Sequence, residues 1–263
     1  MKFRLISMPR ALITGATAGI GAAFTRLLAE RKYDLVLVAR DLPRMQEQAE
    51  GYRNRYGIQV EVLQADLSVL SELARVEERV ARLNEPIDVL INNAGFGLNK
   101  SFSTSAIDDE QKLLDVLVTA PMRLTHAALP QMRSRKTGTI INVSSVAGWI
   151  AGGTYSAAKS YLTVFTESLH TELQGTGVTA HVLCPGFTHT EFHQRGRMKM
   201  NGLPSFMWLD ADRVVADAWS AAQSGKAISV PGTQYKILSW VSRKAPRGWV
   251  RRIGMGVRVR QRR

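Results

Sequence analysis

Tyr155 and Lys159, in the run Tyr155-Ser156-Ala157-Ala158-Lys159, form a pair that can move a proton. The segment reads as the start of a helix, and an i,i+4 spacing puts both side chains on one face. A tyrosine hydroxyl titrates near pH 10, too high for ready exchange at neutrality, and a neighbouring ammonium favours the phenolate and draws that value down. The expectation is a tuned acid/base. An arbitrary Tyr-x-x-x-Lys is more often a buried Tyr beside a solvated Lys, so the pair gains meaning from its company.

That company begins with Thr14-Gly15-Ala16-Thr17-Ala18-Gly19-Ile20-Gly21, which follows a short apolar run and opens an amphipathic one. Gly15 suits a tight turn, Gly19 lets backbone approach a pyrophosphate, Gly21 lets helix and strand pack closely, and the helix N-terminus favours the anion. His189 and His193 have a spacing that can bind a metal on a helix, but they follow Pro185-Gly186 with no third ligand in view, so no metal is expected. His126, His170 and His181 read as helix or strand residues without a role.

Further motifs sit where strands should end: Asp66-Leu67 after the third, Asn92-Asn93-Ala94-Gly95 after the fourth, and Pro185-Gly186-Phe187-Thr188-His189-Thr190 after the sixth. With the Gly-x-x-x-Gly-x-Gly turn and Tyr-x-x-x-Lys, they make the chain resemble the short-chain dehydrogenase/reductase family over roughly residues 9 to 231. The resemblance implies a nicotinamide cofactor contacted by Gly15, Thr17, Gly19, Ile20 and Gly21 at the turn. It implies contacts from Asp66 and Leu67 at the adenine, from Asn93, Ala94 and Gly95, and from Tyr155 and Lys159. Pro185, Gly186, Thr188 and Thr190 would orient the nicotinamide amide. It also implies that Ser145, in Asn142-Val143-Ser144-Ser145-Val146-Ala147-Gly148, holds the substrate oxygen and stabilises its developing charge, with Ser144 a strand-end residue. A homo-oligomer, dimer or tetramer, is implied as well.

Two departures stand out. The interval from Ser145 to Tyr155 is ten residues, shorter than in most family members, and the family's fourth catalytic position, an Asn, falls on Leu117. Leucine cannot hold a water or relay a proton, so the relay is either rerouted, with Asp115 and Thr119 as candidates, or weaker. The shortened loop and basic end also resemble a bacterial subgroup that includes reductases of long 3-oxo lipids.

Cofactor choice turns on Val38-Ala39-Arg40-Asp41. An acid here would accept the ribose hydroxyls of NAD(H), whereas a guanidinium grips a 2′-phosphate with forked, charge-assisted hydrogen bonds. Arg40 comes first, so NADP(H) is expected ahead of NAD(H), although Asp41 follows at once and Ala18 is neutral.

The elements that must position these residues alternate short β-branched runs with longer amphipathic ones. Strands are expected at Ala11 to Thr14, Leu35 to Ala39, Val60 to Leu63, Val89 to Ile91, Thr139 to Val143, Val178 to Leu183 and Ala227 to Val230. Helices are expected at Ile20 to Arg31, Leu42 to Tyr56, Val69 to Leu83, Glu110 to Met132, Thr154 to Leu173 and Asp210 to Ala222. Seven such strands with intervening helices imply an α/β, doubly wound parallel sheet covered on both faces, and the resemblance implies a Rossmann fold whose seven-stranded, mainly parallel sheet has the order 3-2-1-4-5-6-7 flanked by helices. Ligands in such a sheet bind at the carboxyl ends of the strands.

With 45% hydrophobic and 22% charged residues, 263 residues suit one large domain, expected as 1–231 with a substrate lid at about 191–209, followed by a basic tail, 232–263. No apolar run approaches the roughly 20 residues of a membrane span, and the first ten residues do not read as a secretory signal. Cys184 is the lone cysteine, excluding an intrachain disulfide and a four-cysteine metal site and suiting a reducing cytoplasm. The net charge is +13, but from Ala218 onward there are eleven Lys or Arg and no Asp or Glu, leaving about +2 on residues 1 to 217. Trp and aliphatic residues interleave with these cations, which suits a helix on the anionic inner face of a membrane. A disordered end, docking to an acidic protein and nucleic-acid binding compete, the last not expected. The lid's Phe192, Met198, Met200, Leu203, Phe206, Met207 and Trp208 either bind an elongated apolar ligand or pack on the body.

The reading is an NADP(H)-dependent carbonyl reductase for a hydrophobic small-molecule or 3-oxoacyl substrate. Its rival is a non-catalytic NADP-binding sensor or scaffold attached through the tail.

Overall fold

The computed structural model describes residues 8–191 and 204–252. Phe192, His193, Met198, Met200, Leu203 and Ile253 lie outside the described residues. The strands are β1 (Arg10–Thr14), β2 (Asp34–Ala39), β3 (Val60–Gln64), β4 (Val89–Asn92), β5 (Gly138–Val143), β6 (Val178–Leu183) and β7 (Ile228–Ser229). They form one sheet, β3-β2-β1-β4-β5-β6-β7, with every pairing parallel, as expected. The helices are α1 (Gly19–Glu30), α2 (Leu42–Tyr56), α3 (Leu70–Ala81), α4 (Ile107–Leu114), α5 (Ala120–Arg135), α6 (Thr154–Glu172), α7 (Ala211–Gln223) and α8 (Thr233–Lys244).

Strand side chains alternate between two buried layers, so the central strands read as unbroken apolar runs. Ala11, Ile13, Leu35 and Leu37 meet Phe24 and Leu28 of α1 and Val214, Ala218 and Trp219 of α7 on one face. Leu12, Val36, Val38 and Ile140 meet Val76 of α3, Leu124 and Ala128 of α5 and Leu169 of α6 on the other. The crossovers thereby bring every β-to-α loop to one edge, where the chemistry-bearing residues lie.

One expectation fails locally. The helix expected from Glu110 to Met132 is α4, a π-turn at Asp115–Thr119, and α5. Pro121 has no N–H to give the Leu117 carbonyl, and the ladder shifts register, with Ala120 N–H bonding the Asp115 carbonyl.

The segment after residue 231 is also built into the body over its described length, which removes the disordered reading for 232–252. Tyr235 of α8 is 1% exposed, and its ring lies against Gly186 so closely that a Cβ there would stand 2.1 Å from Tyr235 Cζ. Its hydroxyl donates to the Met207 carbonyl at 2.5 Å and accepts from Phe187 N–H at 3.0 Å.

Candidate active site

Tyr155 and Lys159 open α6, and Ser145 ends the loop from β5, where its Oγ accepts a 3.1 Å hydrogen bond from Ala147 N–H at the head of a single 3₁₀ turn, Val146–Trp149. That turn brings the Ser145 hydroxyl into hydrogen bond with the Tyr155 hydroxyl. Ser144 points the other way, its hydroxyl donating to the Lys159 carbonyl at 2.7 Å and meeting Thr163, so it fastens β5 to α6.

Lys159 is 4% exposed, and its Nζ donates to the Val143 carbonyl at 2.7 Å. Burial pushes this ammonium down to about 8. Burial pushes Tyr155 up to about 12, and the Ser145 hydrogen bond works against it. The expectation that Lys159 draws the tyrosine down is therefore not met in this arrangement. Nζ stands 5.8 Å from the Tyr155 ring centre and is engaged by a backbone carbonyl, and burial is the larger influence on the hydroxyl.

The glycine turn lies beside this pair. Gly15 and Gly19 have φ of +66° and +55°, and a Cβ on Gly21 would stand 2.1 Å from the Gly15 carbonyl oxygen. The first turn of α1 carries no side-chain cap and no acid, leaving its N–H groups for an anion. This cradle fits a pyrophosphate. Thr17 is buried with its carbonyl bonded by Gln48 Nε2, and Ile20 packs on the core. Asn93 braces the turn from below, Nδ2 donating to the Thr14 and Gly15 carbonyls at 2.9 and 3.2 Å. The Asn93 and Ala94 N–H groups bond Thr14 Oγ1, and Gly95 comes within reach of Lys159, where a Cβ would meet Nζ at 3.8 Å.

Arg40 and Asp66 meet at the carboxyl ends of β2 and β3, with Arg40 Nη1 3.6 Å from Asp66 Oδ2. The Arg40 side chain is 72% exposed and open to a ligand. Burial raises the Asp66 carboxyl, but hydrogen bonds from the Ser68 backbone and hydroxyl and the charge of Arg40 outweigh it and hold the group below its usual value. Leu67 is buried beside them. On the far wall, the Pro185 carbonyl accepts from Val146 N–H, Thr188 Oγ1 donates to the Gly186 carbonyl, and the Thr190 side chain touches the place a Gly19 Cβ would occupy. His189 stacks on Trp208 at 4.7 Å.

Residues 9–201 match the family model described as short chain dehydrogenase. The chain belongs to the short chain dehydrogenase family. Membership makes it an oxidoreductase of the CH–OH/C=O couple. It is 36% identical over 69% of its length to the NADP-dependent 3-hydroxy acid dehydrogenase of Schizosaccharomyces pombe, spanning 72% of that protein. It is 34% identical over 67% of its length to the ketoacyl reductase HetN of Nostoc sp., of which it spans 62%. A short-chain dehydrogenase from Sphingobium yanoikuyae solved in complex with NADPH is similar at 32% identity and TM-score 0.82, covering 90% of this chain and 94% of that one.

Leu117 stands where the resemblance implies an Asn. It is 1% exposed in the π-turn, and its Cδ2 would lie 2.8 Å from a Cβ on Gly95. A small internal space beside Lys159 is lined by Asn92, Val116, Leu117 and Ala120 among others. Asp115 accepts from Gln111 on the preceding turn.

The sequence reading passed over Arg44. Three residues after the Asp41 cap of α2, its guanidinium holds Glu191 through both nitrogens at 2.6 and 3.0 Å, joining the start of the expected lid to the Arg40 side of the site. Its spacing of four from Arg40 was the available signal; the acid that engages it lies far along the chain.

Proposed function

We propose that this short chain dehydrogenase is an NADP(H)-dependent carbonyl reductase. The carrying observation is the Ser145–Tyr155 hydroxyl pair with the buried Lys159 ammonium beneath it. The NADP-dependent relative and the NADPH-bound structural neighbour support the cofactor, and so does Arg40, exposed where a 2′-phosphate would lie. When bound, the nicotinamide supplies the hydride. Tyr155, held protonated by burial, gives its proton to the substrate oxygen. Ser145 donates a hydrogen bond to the same oxygen as charge develops there. Lys159 places a positive charge behind Tyr155 as the proton leaves. Glycines 15, 19 and 21 cradle the pyrophosphate, Asn93 keeps that turn in shape, and Thr188 and Thr190 flank the nicotinamide end.

The substrate in this reading is a hydrophobic ketone or 3-oxoacyl compound. The ketoacyl reductase among the relatives supports it, as do Trp149, Phe206 and Trp208 on the elements around Ser145 and Thr188. The enzyme is placed in a reducing compartment, as a homo-oligomer. The test is NADPH oxidation against ketones and 3-oxoacyl compounds graded by chain length, with NADH in parallel. Turnover that rises with chain length and falls with NADH supports the proposal; tight NADPH binding without turnover on any of them overturns it.

A further inference from the structure

Helix α8 is inside out. Its buried face carries Tyr235, Ser239 and Ser242, while its outward face exposes Ile237 (60%), Leu238, Trp240 (65%) and Val241. The helical segment 247–252 that follows buries Val250 and exposes Trp249 (69%). A helix that seats serines on its own protein and turns isoleucine and tryptophan outward is arranged for an apolar surface outside the body.

The charges choose that surface. Lys236, Lys244, Arg247 and Arg251 are exposed around the apolar residues, and no acid occurs from Ala218 to the C-terminus. A second copy of this chain would bring cations against cations at the same patch. Nucleic acid would satisfy the cations and stack on tryptophan, yet leave Ile237, Leu238 and Val241 without a partner. An anionic lipid surface takes both: aliphatic groups and indoles enter the interfacial region, and the cations meet headgroup phosphates.

The patch also borders the active site. Gln234 Nε2 donates to the Phe206 carbonyl at 3.0 Å, Tyr235 bonds Met207, and at the other end Arg243 lies 5.8 Å from the ring centre of Trp149, four residues after Ser145. Phe206 is itself exposed (68%). We propose that the outward face of α8 and segment 247–252 docks the protein on an anionic bilayer, with Trp149 and Phe206 toward the lipid boundary. Docking stands without the reductase reading; supply of substrate from the lipid rests on it.

The test uses the full chain with vesicles of phosphatidylglycerol and phosphatidylcholine, against phosphatidylcholine alone, read by co-sedimentation. The protein is expected to partition onto the anionic vesicles, weakly onto neutral ones, and less as salt rises. The double variant Ile237→Ser/Trp240→Ser is expected to bind at least tenfold more weakly, and Trp240→Phe to keep most of the binding. Both should oxidise NADPH with a water-soluble ketone like the parent, which shows that they fold. The proposal is overturned by no partition onto anionic vesicles, by a double variant that binds them as the parent does, or by a parent whose patch instead mediates self-association or duplex DNA binding. Vesicle binding by a protein inactive on every ketone would sink only the reductase reading.

Discussion

Lys159 Nζ donates its 2.7 Å hydrogen bond to the Val143 carbonyl from a position 4% exposed, so the site carries a buried ammonium held by a backbone oxygen. Its value in the folded chain, about 8, lies below the ordinary 10.5. The unfolded chain therefore binds more protons between those values, and the charge costs stability fully below pH 8, a cost relieved as pH rises toward 10.5. The cofactor-free protein should gain roughly 1 kcal/mol from this group between pH 7 and 9. Lys159→Met should lose that gain and all turnover, without becoming less stable at pH 7. Urea unfolding at both pH values decides; an identical pH dependence in parent and variant would refute the buried charge.

Tyr155→Phe removes the proton donor and keeps the ring. Turnover should fall by about 10²–10⁴-fold, with NADPH binding within a fewfold of the parent. Ser145→Ala should cost about 10²-fold or more in kcat, as expected for a lost oxyanion donor. Stopped-flow reduction and cofactor titration separate the two effects, and a Tyr155→Phe protein as active as the parent would remove the acid assignment.

Arg40 is mostly exposed and pairs with Asp66 at 3.6 Å, so its grip on a 2′-phosphate is solvent-screened. Arg40→Ala should raise the KM for NADPH by about tenfold, equivalent to one charge-assisted hydrogen bond, and leave the KM for NADH unchanged. Equal changes for both cofactors would assign Arg40 a merely structural part.

Tyr235→Phe leaves the Met207 carbonyl and Phe187 N–H without their shared hydroxyl. Two part-buried groups losing a partner should cost about 1 kcal/mol, and Tm should drop by roughly 2–4 °C. Calorimetry measures it, and an unchanged Tm would mean that α8 is held by its ring contact with Gly186 alone.

Much of this molecule was legible from the sequence because its signals are local. Apolar runs of strand length between amphipathic stretches identified seven strands, since a strand buried on both faces has no polar alternation to hide it. The turn at Gly15 to Gly21 and the spacing of Tyr155 and Lys159 are properties of a few adjacent residues. What needed the tertiary structure involves partners far apart in the chain or competition between environments. The break at Asp115–Thr119 arises from one missing N–H at Pro121 inside an otherwise helical pattern. Arg44 gained Glu191 as a partner only through the fold. The balance at Tyr155 was decided by how deeply both groups are buried, since desolvation depends on everything packed around a side chain while spacing records only one neighbour. The outward turn of Ile237 and Trp240 was decided in the same way: sequence shows an amphipathic basic helix, and only the seating of Tyr235 against Gly186 determines which face remains exposed.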